Sequence, residues 1–240
     1  MRLRVCFTPA EVRVDDVEGA SAIVIDVVRA TSCIVEAMAN GAEAVLPAVS
    51  IEEAVRLRDS AAGDEVLLCG ERRGLRIEGF DLGNSPAEFT TEAVGGKRLV
   101  MTTTNGTRAL AAAEEAERIF PASFLNLGAV ADAVRGDRAV TIICAGREGR
   151  FAMDDTVCAG EVLRRVLRGF GGPVVLDERA QAALDLARIH GVSAAMLTGT
   201  EAGRALVEVG LGGDLALCAS TDRHKIVPMM RDRIITVPSP

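Results

Sequence analysis

The sequence predicts an α/β fold on a largely parallel sheet. Three observations carry that prediction. Strand-sized apolar runs alternate with helix-period segments over most of the 240 residues. Glycine and proline punctuate the joins, at Gly41, Gly63, Gly95-Gly96, Gly171-Gly172-Pro173 and Gly212-Gly213. The composition, 49% hydrophobic and 25% charged, is that of a globular chain.

Predicted strands fall at 3–7, 22–26, 44–47, 65–69, 98–102, 118–120, 140–144 and 215–219. Predicted helices fall at 32–38, 51–60, 107–113, 127–134, 155–167, 178–190, 194–197 and 201–209. Met1-Arg2-Leu3-Arg4-Val5 runs straight into the first strand without a charged-then-apolar export segment, so a cytoplasmic protein is expected. The longest apolar runs, 22–25 and 139–143, are strand-sized and far short of the ~20 residues a membrane helix needs. No membrane partner is expected. The length allows about one or two domains. A single unit over 1–240 is expected, or two intertwined halves of about 1–95 and 96–240.

With 27 basic and 34 acidic side chains the net charge is −7, and there is no Trp, no Tyr and only 7 Phe. Neither the basic stripe of a duplex binder nor the stacking platforms of a single-strand binder are present, which excludes nucleic acid as a partner. Six scattered cysteines (Cys6, Cys33, Cys69, Cys144, Cys158, Cys218) include no C-x-x-C pair, so reduced, buried small hydrophobes are expected.

Residues 24–31 align with residues 100–107 at a constant offset of 76, and 41–48 align with 115–122 at an offset of 74. Each copy is strand, polar loop, Ala-rich helix, strand, proline. The similarity fits a duplicated βαβ unit, or the general likeness of any two such units.

Open parallel sheets bind ligands beyond the carboxyl ends of their strands, and four polar segments follow strand-like runs here. The first, 26–32, places Asp26, Arg29, Thr31 and Ser32 between a strand and a helix, with a hydroxyl set to cap that helix. The second, 69–86, is long, polar and glycine-rich. It offers the acids Glu71 and Asp81 to a hard cation, arginines to an anion, and Asn84-Ser85 at its end. In the third, Thr102-Thr103-Thr104-Asn105-Gly106-Thr107-Arg108, hydroxyls, an amide and a glycine open a helix, where free N–H groups favour an anion. Arg108 in that first turn is unfavourable unless an anion offsets it.

The fourth, 144–156, spaces Cys144 and Arg150 as cysteine-dependent phosphatases do, and adds Arg147 and the pair Asp154-Asp155 to cap a helix or hold a metal. Its glycines do not fall at the usual places for such an enzyme. Of the two histidines, His190 ends a helix beside Gly191 and His224 is a candidate general acid. No nucleophile elbow, dinucleotide loop or phosphate loop of the familiar kinds is present.

Together these segments resemble the 2-phosphosulfolactate phosphatase (ComB) family. The resemblance rests on Ile25-Asp26-Val27-Val28-Arg29-Ala30-Thr31-Ser32, Asn40-Gly41-Ala42, Gly70-Glu71-Arg72, Gly79-Phe80-Asp81-Leu82-Gly83-Asn84-Ser85-Pro86, 102–107, 144–151 and Asp155-Thr156, and covers most of the chain. It implies a three-layer α/β/α fold and magnesium-dependent removal of phosphate from 2-phospho-3-sulfolactate, a step in coenzyme M synthesis.

A substrate with phosphate, sulfonate and carboxylate groups needs arginines and backbone N–H donors. Arg29, Arg72, Arg108, Arg147 and Arg150 all lie in the four segments. For catalysis Asp26, Arg29 and Arg147 are expected. For Mg2+ the expected ligands are Asp26 and Asp155, then Glu71 and Asp81. For the substrate they are Thr31, Asn84, Ser85, Thr103, Thr104, Asn105, Gly106, Arg108 and Arg150. Water, Asp26 and Cys144 remain open as nucleophiles, and a non-catalytic organophosphate sensor is the rival outside enzymology. A homodimer is the default assembly.

Overall fold

A computed structural model describes residues 1–61 and 65–238, so that Gly63 of the predicted breaks lies outside the described residues. The strands are β1 (Arg2–Cys6), β2 (Ser21–Ile25), β3 (Ala44–Pro47), β4 (Val66–Arg72), β5 (Leu75–Arg76), β6 (Arg98–Thr102), β7 (Arg118–Ala122), β8 (Ala139–Cys144), β9 (Val175–Leu176), β10 (Met229–Arg231) and β11 (Ile234–Thr236). The helices are α1 (Val14–Val17), α2 (Ala30–Ala39), α3 (Ile51–Ser60), α4 (Thr91–Val94), α5 (Gly106–Ala112), α6 (Leu127–Val134), α7 (Met153–Leu167), α8 (Glu178–His190), α9 (Ala194–Thr198), α10 (Glu201–Glu208) and α11 (Asp214–Cys218).

The strands form one mixed sheet in the order β5-β4-β6-β3-β11-β10-β7-β2-β8-β1-β9. It consists of two parallel wings. In one, β7, β2, β8, β1 and β9 run together, with Ile23 paired to both Phe120 and Ile142. In the other, β3, β6 and β4 run together, and β5 turns back on β4. The β10–β11 hairpin joins them, antiparallel to β7 and to β3 through single pairs, Met230–Ile119 and Ile235–Val45.

Period-two burial explains the layers. Ile23 and Ile25 of β2 enter a core with α6, α7 and α8, whereas Ala22 and Val24 enter a second core with α2 and α5. That second core also takes Leu99 and Met101 of β6, so α2 and α5 pack against both wings. Val100 and Leu68 face the other way, onto Ala54 of α3. The expected α/β class with helices on both faces is what forms. No helix among the described residues is long and apolar enough to cross a membrane.

Residues 215–219 are not a strand. Residues 215–218 belong to α11, with Ala219 its C-cap, and Leu215 and Cys218 are buried three apart on one helical face. The β10–β11 hairpin is absent from the predicted elements because its strands are three residues long and its turn is Asp232-Arg233, both at positive φ (50° and 60°), without the usual glycine. The long polar segment after Cys69 is no open loop either. It continues β4 to Arg72, turns through Arg73 and Gly74 at positive φ, and returns to bond the Leu68 carbonyl from Asp81 N–H and Leu82 N–H.

Candidate functional site

Strand ends from both wings meet at one place. Asp26 follows β2, Arg147 follows β8, Glu71 lies one residue before the end of β4, and Thr103, Thr104 and Asn105 follow β6. All six line a cleft of about 170 Å³, together with Arg29 and Asn84. A further wall comes from α10 through Ala202, Ala205 and Leu206.

Glycine permits the close approach of the two strand-end loops. A Cβ on Gly106 would lie 2.4 Å from Ala30 Cβ and 2.8 Å from Asp26 Oδ2. Gly146 does the same for the β8 loop. At φ +64°, its Cβ would meet the Arg150 carbonyl oxygen at 2.4 Å, inside a turn in which Arg147 and Arg150 exchange backbone hydrogen bonds.

Hydrogen bonds then stitch the loops together. Asp26 Oδ1 accepts the Ala30 N–H at the start of α2. Glu71 accepts the Thr104 N–H on one oxygen and the Gly74 N–H on the other, each at 2.8 Å. Asn105 Oδ1 accepts the Glu148 N–H at 3.1 Å. Arg29 is held by Asp214 and the Gly74 carbonyl, and Arg147 Nε lies 3.6 Å from Glu201 Oε1.

Negative charge is crowded at this place. Burial raises the Asp26 carboxyl to about 7, opposed by the Ala30 N–H and reinforced by Asp154 and Glu71. Burial likewise raises Asp154 to about 6, against the pull of Arg147. Asp154 lines an adjoining groove of about 640 Å³ that shares Arg147 and Ala202 with the cleft.

The Asn84 side-chain oxygen is buried with no hydrogen-bond partner among the described residues. A buried acceptor left bare needs a donor or a cation. Among the described residues no three His, Cys, Asp or Glu side chains converge on a ready-made cage. A hard cation that keeps its waters and takes one or two carboxylates would fit Asp26 and the Asn84 oxygen, with Glu71, which already accepts two backbone N–H groups, lining the same cleft.

Several predicted site residues lie elsewhere. Asp155 is buried, and its two oxygens accept the Val27 and Gly146 N–H groups, so it locks the β2 and β8 loops together without lining the cleft. Asp81 caps the Leu68 N–H outside the cleft. The Thr31 hydroxyl accepts the Asp26 N–H, and the Ser32 hydroxyl donates to the Val27 carbonyl. Neither caps α2, whose N-cap is Arg29. Ser85 donates to Asp214, and Gly106 sits behind Asp26. Arg108 and Arg150 are exposed, Arg150 beside Glu148, and neither lines the cleft.

Two further candidates are displaced. Cys144 ends β8 fully buried, and burial together with the Asp155 carboxylate pushes its thiol well above its ordinary value. That removes the thiolate a nucleophile needs. His224 Nε2 pairs with Glu36 Oε1 at 3.0 Å instead of facing the cleft. Sequence reasoning missed Asp214, which directly precedes the segment 215–219 that reads as a strand, and the α10 wall, whose small and apolar side chains carry no chemical signal.

The chain is similar to known proteins over most of its length. The family model described as 2-phosphosulpholactate phosphatase matches residues 6–233. A relative from Thermotoga petrophila, named probable 2-phosphosulfolactate phosphatase, is 38% identical over 214 residues, covering 89% of this chain and 90% of its own. Proteins of the same name from Symbiobacterium thermophilum (39% identity, 91% and 94% covered) and Clostridium acetobutylicum (36%, 95% and 97% covered) align over still more of the chain. With the strand-end cleft assembled from the segments that carried the resemblance, the chain belongs to the 2-phosphosulfolactate phosphatase family.

Proposed function

We propose that the protein hydrolyses the phosphate ester of 2-phospho-3-sulfolactate, or of a closely related small phosphorylated acid, to phosphate and the free hydroxy acid. The observation that carries this reading is the shared cleft. It gathers three arginines (Arg29, Arg73 and Arg147), a hydroxyl-and-amide loop and the buried carboxylates of Asp26 and Glu71 around one cleft of about 170 Å³, a lining suited to a small molecule with several negative charges.

Phosphoryl transfer asks little covalent chemistry of a protein and much positioning and charge stabilisation. Arg29 and Arg147 supply fixed positive charge for the phosphoryl, sulfonate and carboxylate oxygens. Thr103, Thr104 and Asn105 supply neutral polar contacts from the adjoining loop. A water oxygen joins phosphorus as the ester P–O bond breaks, and the departing oxygen leaves with a proton as the alcohol. Asp26 and the Asn84 oxygen, with Glu71 beside them, would hold magnesium, which would supply further neutralisation of phosphoryl charge.

The test is phosphate release from a panel of phosphorylated hydroxy acids, with and without magnesium. Release that is fastest for the sulfonate-bearing ester and dependent on the cation supports the reading. Thermal stabilisation by the esters with no release at all supports a sensor instead. An undiminished rate in EDTA removes the cation from the account.

A further inference from the structure

Arg29 lines the cleft with its guanidinium already engaged. Nη1 donates to Asp214 Oδ2 at 2.6 Å and Nη2 donates to the Gly74 carbonyl at 2.7 Å. The other Asp214 oxygen accepts the Ser85 hydroxyl at 2.6 Å. Arg29, Ser85 and Asp214 are all buried. Asp214 itself does not line the cleft. It opens α11, 185 residues from Arg29 in sequence.

A buried ion pair is a poor source of net stability, because desolvation consumes most of its attraction. Its value here lies in orientation. A free arginine gives up side-chain entropy when it grips an anion, and one already fixed by its partners does not. Two of the five guanidinium N–H groups are taken by Asp214 and Gly74, which leaves the others for the cleft.

We infer that Asp214, itself held by Ser85, is a positioning residue that fixes the Arg29 guanidinium for an anionic group of the substrate. This rests on the reading of Arg29 as an anion-binding residue. It also gives Ser85 a role one contact behind the ligand in place of direct contact with it.

The experiment is a double-mutant cycle of Arg29→Gln and Asp214→Asn. Its readouts are KM and kcat for phosphate release, the inhibition constant of inorganic phosphate, and the melting temperature. Asp214→Asn is expected to raise KM and the phosphate inhibition constant together by about tenfold or more, with a smaller change in kcat. In the Arg29→Gln background the same substitution is expected to add nothing, because its effect passes through Arg29. Additive effects on KM, or an unchanged phosphate constant in Asp214→Asn, overturn the inference.

If Asp214→Asn does not fold, Ser85→Ala reads the same link. It is expected to raise KM about three- to tenfold, and only while Arg29 is present. No change in Ser85→Ala then overturns it. Should the wild type release no phosphate from any ester, the phosphatase reading fails. A phosphate dissociation constant measured by calorimetry across the cycle still decides the role of Asp214.

Discussion

The loops after β2 and after β6 use one backbone device for two kinds of chemistry. At the constant offset of 76, Arg29 and Asn105 are both helix N-caps, of α2 and α5, and both line the cleft. The Thr31 hydroxyl bonds back to the Asp26 carbonyl at 2.9 Å, and the Thr107 hydroxyl to the Thr103 carbonyl at 3.0 Å. In each loop a side chain four residues back receives an N–H of the first helical turn: the Asp26 carboxylate takes that of Ala30, the first residue of α2, and the Thr103 hydroxyl takes that of Thr107, the second residue of α5. The charges differ. One loop brings a carboxylate and a guanidinium, the other hydroxyls and an amide. Charge neutralisation is therefore assigned to one wall and neutral polar recognition to the other, across a glycine contact.

The largest effect is expected from removing the charge of the first wall. Asp26→Asn keeps the shape and the Ala30 contact but loses the carboxylate, and kcat/KM should fall by roughly two to three powers of ten in steady-state phosphate release. Retention of activity would remove Asp26 from both catalysis and cation binding. Next comes the contact between the walls. Gly106→Ala forces a methyl against Ala30 and Asp26, and should cost about 1–3 kcal/mol in denaturant unfolding as well as displacing the Asp26 carboxylate. A fully stable, fully active variant would show that the two loops need not touch.

A subtler effect is expected from pH. Burial holds Asp26 at about 7 and Asp154 at about 6, each above its ordinary value. The folded chain then binds more protons than the unfolded one from the ordinary carboxylate range up to those values, so cation-free stability falls as pH rises through that window. Magnesium needs the carboxylates ionised, so its stabilising shift in melting temperature should be greater at about pH 8 than at about pH 5.5. A shift independent of pH would place the ion elsewhere. The smallest effect belongs to Cys144→Ser, which should leave the catalytic rate close to wild type, because the thiol is fully buried away from the cleft.

What could be read in the sequence was the succession of strand, polar loop and helix, because chain order alone reveals it. Asp26, Arg29, Arg147, Glu71, Asn84 and 103–105 were found that way. Facing was harder to see. Arg108 follows Asn105 by about one helical turn and is exposed. Arg150 sits across a tight turn from Arg147 and also looks outward. Of the adjacent pair Asp154 and Asp155, the sequence favoured the second, but Asp155 spends both oxygens on backbone N–H groups and Asp154 faces the adjoining groove. Asp214 and the α10 wall reach the site only through tertiary folding, and nothing local in 201–218 announces it.

The division of labour between the two walls is tested most directly by a crystal structure grown with magnesium and inorganic phosphate. The account predicts phosphate within hydrogen-bond reach of both Arg29 and the 103–105 loop, with the cation on Asp26. Phosphate held by one loop alone, or lodged only in the larger groove beside Arg204 and Met196, would contradict it.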